Sequence, residues 1–415
     1  MSHILIVGQK FSALSDYLAA NGHTYTLLKD RKKTKFPEKK FKNRTVADFS
    51  SKEALLKEVD SLKVRPDAVL VTYENYVLPA AWISEHLGLP GMPPAAAEAC
   101  TDKFIMRSLF SKAPEKISPA FDMVSSEDDV RAFADAHDFP IILKPANLAK
   151  SLLVTKNDDL NELITNYHKS VGLLTSVYSK YAPDRQPKLI IEEFLQGSIH
   201  SVDAFVDAKG DPQVLEQVVD YQTGYDIGFD DNFHYSRILP SKLSQADQDA
   251  LRHCAEVGIK ALGIRSSPAH VEIIMTPQGP RIVEIGARNG GYRERMHALA
   301  NDIDITGAAL SLSLGEVPDI TASRNDPVAV LELFAKTPGT FIGIQNEQAL
   351  RMLSSLNYLS IKSKPGQETG KAADGFKTSA IVVLHSSDVE QFNQDLAFVT
   401  EQVAILTEGT LQNAE

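Results

Sequence analysis

A chain of 415 residues has room for roughly two to four domains and for sizeable buried cores. Its 43 Lys and Arg against 54 Asp and Glu leave a net charge of −11, which excludes a general binder of nucleic acid or anionic membrane but not a local basic pocket for a phosphorylated ligand. The two cysteines, Cys100 and Cys254, have neither metal-site spacing nor a disulfide framework, which fits a reducing cytoplasm, and no apolar run suits a signal-peptide core or a membrane span.

In chain order, Ile4-Leu5-Ile6-Val7-Gly8 reads as a buried parallel strand. A helix through Leu14, Tyr17 and Leu18 should follow and end near Gly22, with strands over residues 25–28 and 68–72. Tyr73-Glu74-Asn75 then falls at the carboxyl end of a strand, where open α/β sheets bind ligands. Alternating strands and helices make residues 1–95 a small α/β domain, and the lack of G-x-G-x-x-G after the first strand excludes a dinucleotide site. The basic run 31–42 reads as a solvated loop, and Pro/Gly-rich residues 89–94 as a boundary.

Thr101-Asp102-Lys103 opens a helix, with Thr101 or Asp102 as cap and Lys103 near the first turn. Strands are expected at 120–124 and 140–143 around a helix over 126–138. Lys144 then follows Ile141-Ile142-Leu143 at a strand end, placed either to reach a phosphate or simply to meet solvent. Residues 146–154 read as a loop into a strand, and 158–168 as helix. Leu189-Ile190-Ile191 is a buried strand running into Glu192-Glu193-Phe194-Leu195, and 200–206 alternates as a strand. The aromatic-rich stretch 221–239, with Asp226, His234 and Arg237, reads as a long irregular loop, either functional or merely packed. Ser244 caps the next helix, whose stripe Leu251, Cys254, Val257, Ala261 and Leu262 makes Cys254 a core thiol.

Residues 270–292 follow, reading H-V-E-I-I-M-T-P-Q-G-P-R-I-V-E-I-G-A-R-N-G-G-Y. Two apolar arms around Pro277 and Gly279 predict a β-hairpin centred on Gln278, which pairs Glu272 with Glu284. Carboxylates so paired sit about 5 Å apart and repel unless a cation lies between them. Mg²⁺ takes such oxygen ligands, commonly one or two carboxylates plus substrate phosphates. A period of two also brings Gly286 and Arg288 to the face of Glu284, adding a guanidinium fork suited to phosphate or carboxylate. Gly290 and Gly291 allow close backbone approach to a ligand. Two acids alone would be a solvated face; the added arginine and glycines favour a metal–phosphate site. A helix over 293–314 and an α+β unit from about residue 320 complete the chain.

Asp102-Lys103, Leu143-Lys144-Pro145, Glu192-Glu193-Phe194-Leu195, Ser201-Val202-Asp203 and the hairpin occur in the order of the ATP-grasp superfamily, which the chain resembles over nearly its whole length. Thr337-Pro338-Gly339-Thr340 and Lys364-Pro365-Gly366 resemble the branch of biotin carboxylases and L-amino-acid ligases, and Glu284 to Gly291 leans toward the latter. The resemblance implies a Rossmann-like α/β domain over 1–95, a split ATP-clamping core with a lid over 96–319, and a C-terminal α+β domain over 320–415. It also implies an ATP-dependent carboxylate–amine ligase that uses Mg²⁺ or Mn²⁺, takes small-molecule substrates with amino acids the expected class, and is compatible with a homodimer. A biotin-carboxylase-like enzyme with a separate carrier and a non-catalytic nucleotide-binding regulator remain as alternatives.

By position, Lys103 and Lys144 resemble the lysines that hold ATP phosphates, and Glu192, Glu193, Phe194 and Leu195 resemble the adenine-binding hinge. Glu272 and Glu284 resemble the metal ligands, and Arg288 the arginine at the transferred phosphoryl group. His234, Arg237, Gly290, Gly291 and Tyr292 are expected to line the substrate pocket. Three departures stand out. The loop 146–154 has no glycine, so Lys150 and Ser151 are expected to meet phosphates through side chains. Ile199 replaces a ribose-binding glutamate, leaving His200 for that role. Gly286 replaces a third metal ligand.

Overall fold

The structure, a computed structural model, describes residues 1–8, 12–34, 43–148, 152–182 and 185–409. The opening apolar run forms the strand His3–Val7, between parallel strands Thr24–Asp30 and Ala68–Val71, with Arg44–Ala47 beyond Thr24–Asp30. Its side chains alternate between two cores. Leu5 and Val7 pack with Leu55, Val59 and Ile83, while Ile4 and Ile6 pack with Leu14, Leu18 and Leu310. Burial on both faces explains the unbroken apolar run. Arg44–Ala47 was not expected, because a short strand with a charged start carries little signal. Glu74 begins a 3₁₀ turn just beyond the carboxyl end of Ala68–Val71.

Helices Pro94–Thr101 and Lys103–Phe110 meet at Asp102, whose carboxylate accepts the N–H groups of Phe104 and Ile105. Asp102 is therefore the cap, and Lys103 the first residue of its helix. A second, antiparallel sheet has the order Phe121–Val124, Leu189–Glu193, Ile141–Pro145, Thr155–Asn157. The helix Leu160–Tyr181 on this sheet runs well past its expected end at 168. Tyr167, Ser170 and Tyr178 keep one face buried, and the serine conceals that stripe in the sequence.

The third sheet has eight strands, in the order Gly279–Gly286, Ser267–Thr276, Ser198–Val206, Pro212–Thr223, His234–Leu239, Val328–Leu333, Ala380–His385, Leu356–Ile361. It corrects the expectation of a long irregular loop over 221–239. Pro212–Thr223 and His234–Leu239 form an antiparallel pair that places Tyr221 opposite Arg237, so His234 and Arg237 stand on a strand. Aromatic and β-branched residues fit a pleated surface, and that composition belongs to the sheet. The sheet also continues past residue 320, joining the C-terminal strands to the hairpin sheet. Among the described residues no helix is long and apolar enough to cross a membrane.

The hairpin differs from expectation in one respect that decides the site. Thr276 faces Gly279 and Ile273 faces Ile282, so the turn is the two-residue Pro277-Gln278 and the register lies half a step from a centre on Gln278. Continued unchanged, that register would put Glu284 on the same face as Ile282, against the core. An extra residue, Val283, shifts the register, and Glu284 pairs with Glu272 after all. Ile282 and Ile285, three apart, consequently both face the core around helix Gln245–Leu262, with Cys254 among their neighbours. Burial pushes the Cys254 thiol up to about 12. Gly258 makes this contact possible, since a Cβ there would lie 2.3 Å from Ile282 Cδ1.

Candidate functional site

On the outer face of the hairpin, Lys103 Nζ lies 2.9 Å from Glu284 Oε2, and His270 Nε2 lies 3.6 Å from Glu272 Oε1. Lys103 is the main cause holding the Glu284 carboxyl below its ordinary value. Burial works to raise Glu272, but His270, His234 and Arg288 outweigh it and hold that carboxyl well down. Both acids are thus ionised and already draw cationic groups, which is the behaviour of a cation-binding pair. Among the described residues no cluster of three or more His, Cys, Asp or Glu is arranged for a metal. The donors suit a hard divalent ion that completes its shell with substrate oxygens and water.

Beneath this pair, Ser201 and Asp203 project from Ser198–Val206 on one face. Asp203 Oδ1 lies 2.8 Å from His270 Nδ1 and its Oδ2 accepts Arg293 Nε at 3.0 Å, while Ser201 Oγ accepts Arg293 Nη2 at 2.7 Å. Burial alone would lower His270, but Asp203 and its other partners raise it to about 10. Gly290 serves this network. A Cβ there would meet His270 Nδ1 at 2.5 Å and Arg293 Cγ at 2.7 Å, so its missing side chain makes room for protein, contrary to the expectation of ligand approach. Gly291 has open space where its side chain would be.

Arg288, just past the end of its strand, meets Glu74 in the 3₁₀ turn beyond the N-terminal sheet, Nε to Oε2 at 3.0 Å. A Cβ on Gly286 would lie 3.0 Å from that same Oε2, so Gly286 leaves the space Glu74 enters. Burial pushes the Glu74 carboxyl up against the pull of Arg288.

Lys144 is buried, with Nζ 2.6 Å from Glu192 Oε2. Glu192 also accepts Arg107 Nε at 3.0 Å, and Arg107 Nη2 donates to the carbonyl of Val283 at 2.7 Å. One buried arginine therefore ties the lysine's carboxylate to the residue that turns Glu284 outward. The hinge segment 194–197 leads from the four-stranded sheet into the eight-stranded one. Glu193 and Phe194 donate their N–H groups to Ala120 and Pro140, and among the described residues none bonds to the backbone of Leu195. Gly197 runs tight against the hairpin, where a Cβ would fall 2.0 Å from Met275 O. His200 differs from expectation: it is buried, with Ser198 Oγ 2.7 Å from Nε2 and Asp220 Oδ1 2.8 Å from Nδ1, so neither ring nitrogen is left for a ribose hydroxyl. Lys150 and Ser151 lie outside the described residues.

Toward the C-terminal strands, Arg237 Nη1 lies 3.3 Å from Glu332 Oε2, and the Tyr292 hydroxyl donates to Glu332 Oε1. The guanidinium carbon stands 5.7 Å from the Tyr221 ring centre and 5.2 Å from that of Tyr292. Burial lowers the pKa of His234, against an opposing pull led by the Glu272 carboxylate, so this group feels the charge of the carboxylate pair. Clefts of about 390 and 480 Å³ lie elsewhere and include none of these residues.

Glu74, Arg107 and Glu332 carry contacts that reading the sequence did not assign. Glu332 had a signal, as the one acid in Val328-Ala329-Val330-Leu331-Glu332-Leu333. Glu74 had its place at a strand end. Arg107 looked like any polar residue on an amphipathic helix.

Residues 137–294 match the ATP-grasp domain family. The chain is 30% identical over 232 residues to the alanine–anticapsin ligase of Bacillus subtilis (strain 168), an alignment covering 54% of this chain and 49% of that protein. It thus spans about half the length of the curated relatives it matches. Among solved structures, an L-amino acid ligase from Bacillus licheniformis superposes with a TM-score of 0.78 at 17% identity, covering 98% of this chain and 99% of that one. A phosphoribosylglycinamide synthetase from Anaerococcus prevotii gives 0.69 at 16%, covering 98% and 100%. Residues 137–294 thus carry the match to the ATP-grasp domain, and over nearly its whole length the chain shares its fold with these two solved structures.

Proposed function

We propose that this protein is an ATP-dependent carboxylate–amine ligase that forms an amide or peptide bond through an acyl phosphate, releasing ADP and phosphate. The observation that carries this is one hairpin presenting the Glu272–Glu284 pair and, beyond its end, Arg288, with Lys103 already drawn to the acids. Lys103 and Lys144 hold ATP phosphates, and the hinge residues Glu192 to Leu195 border the adenine, with Leu195 offering free backbone groups. Glu272 and Glu284 hold Mg²⁺ or Mn²⁺, which when bound neutralises phosphate charge. A substrate carboxylate oxygen attacks the γ-phosphorus and ADP leaves. The amine then attacks the acyl carbon, and the C–O bond breaks to release phosphate. The chain's contribution is positioning and charge stabilisation at the transferred group, where Arg288 acts. The division at residues 95 and 319, with a lid in the middle unit, and amino acids as substrates belong to the same proposal.

Screening acid and amine pairs tests it. ADP and phosphate are expected only when both partners are present, and hydroxylamine with the right acid should trap a hydroxamate. AMP with pyrophosphate would contradict the acyl phosphate. Release that depends on biotin and bicarbonate would instead favour carboxylation, and tight ATP binding without release under any condition would favour a regulator.

Lys144 adds a pH prediction. Burial pushes its ammonium down to about 8, with Arg107 and Lys103 adding to the effect and Glu192 opposing it. Phosphate oxygens favour the charged form, so ATP binding raises this value and takes up a proton. Apparent ATP affinity should therefore fall as pH climbs above about 8, approaching one decade per pH unit, and Lys144→Arg should flatten the slope. Calorimetry in buffers of different ionisation heat reads the proton directly. A flat profile between about pH 7 and 9.5 would remove Lys144 from the phosphates.

A further inference from the structure

Arg237 is held on one edge only. Its Nη1 is ion-paired with Glu332 Oε2 at 3.3 Å and donates to the carbonyl of His234 at 3.1 Å, and among the described residues none accepts from Nε or Nη2. The guanidinium is nevertheless fixed. Tyr221 and Tyr292 stand against it, and Glu332 is itself anchored by the Tyr292 hydroxyl. Tyr292 adopts a left-handed backbone at φ 64°, at the start of helix Arg293–Ala300. A bulky residue kept in that region marks a place where the surroundings impose the conformation. An arginine with one edge clamped, little room to move and two parallel N–H donors unused is preorganised for a bidentate anion.

We infer that the open edge of Arg237 binds a carboxylate carried by the amine substrate, one that is not activated, with Glu332 and Tyr292 as positioning residues. The amine partner is accordingly an amino acid rather than a simple amine. This rests on the ligase proposal above. The geometry supports it in two ways. Arg288, at the far end of the hairpin, already answers to Glu74 and is reserved for the reacting carboxylate. The Arg237 cluster lies toward the C-terminal strands, and His234 within it, kept neutral by burial, adds no competing charge. A carboxylate matches the planar two-donor edge, whereas a neutral amide offers one acceptor and no charge.

The test uses the full chain saturated with Mg²⁺ and a non-hydrolysable ATP analogue. The twenty standard amino acids are titrated by calorimetry alongside the amides of those that bind. At least one amino acid is expected to bind about tenfold or more tightly than its amide. That preference should vanish in Arg237→Gln and survive in Arg288→Lys. Analogue binding serves as the fold control. If Arg237→Gln fails it, Arg237→Lys is read instead, with about a tenfold loss expected because the charge stays but the two-donor edge goes. Equal binding of acid and amide, no binding by any amino acid, or a preference lost in Arg288→Lys but kept in the Arg237 variant would each overturn the inference. The two proposals fail separately. Carboxylate-selective binding without ADP release would sink the ligase and leave this site standing, and release indifferent to the amine's carboxylate would do the reverse.

Discussion

Glu284→Gln is expected to take turnover close to the detection limit and to weaken Mn²⁺ binding in the presence of ATP by about tenfold or more. Glutamine keeps the shape but loses the charge a hard cation requires. From the sequence alone, removing one of two facing carboxylates would relieve repulsion at little cost. The structure changes that expectation, because Glu284 is already paired with Lys103 at 2.9 Å. Neutralising it leaves a largely buried ammonium with weaker partners, so a modest stability loss on the order of 1–2 kcal/mol should accompany the loss of activity. Glu272→Gln should behave similarly, with His270 as the deprived partner. Manganese titration by electron paramagnetic resonance, beside thermal unfolding, separates the two effects. Near wild-type turnover by both variants at low magnesium would show that the pair is not the metal site.

Arg288→Lys is the second large effect. The guanidinium is ion-paired with Glu74, Nε to Oε2 at 3.0 Å, and donates from Nη1 to the carbonyl of Asn289 at 3.0 Å, which leaves Nη2 and the remaining Nη1 hydrogen for a transferred phosphoryl group. A lysine cannot hold the acid and reach two oxygens at once. Contacts that strengthen as the phosphoryl moves lower the barrier more than they aid ground-state binding. ATP affinity should stay near normal while the single-turnover rate falls on the order of a hundredfold or more. No neighbour is placed to replace Arg288. Arg293 is buried against Asp203, Ser201 and Tyr221, and Arg295 lies over the Tyr358 ring, 4.1 Å from its centre. A lysine variant turning over at close to the wild-type rate would mean the fork is not used.

The hairpin shows both how much was legible in the sequence and where legibility stopped. The Glu272–Glu284 pairing followed from apolar periodicity and the turn residues, yet the turn is tighter than expected and the extra residue Val283 restores the pair. Nothing local in Arg281-Ile282-Val283-Glu284 announces a bulge. The partner that meets it is Arg107, more than 170 residues away, which donates to the carbonyl of this unpaired residue. Lys103 and Lys144 were legible because a capped helix start and a strand end fix where a side chain emerges. Their carboxylate partners were not, since Glu284 and Glu192 lie on strands far along the chain from the lysines they meet. His200 misled because a polar residue near an expected site can serve the sheet, here through Ser198 and Asp220. The strand His234–Leu239 hid among aromatics and glycines that also suit a loop, and only its pairing with Tyr221 and its neighbours distinguishes the two.

The most direct test of the account follows an oxygen atom. The acid found by screening is labelled with ¹⁸O in its carboxylate and turned over with ATP and the amine, and the products are read by mass spectrometry. An acyl phosphate places one carboxylate oxygen between carbon and phosphorus, and amine attack breaks the C–O bond. One ¹⁸O per turnover should therefore appear in inorganic phosphate, with ADP unlabelled. Label in AMP, or phosphate free of label while the amide forms, would contradict it.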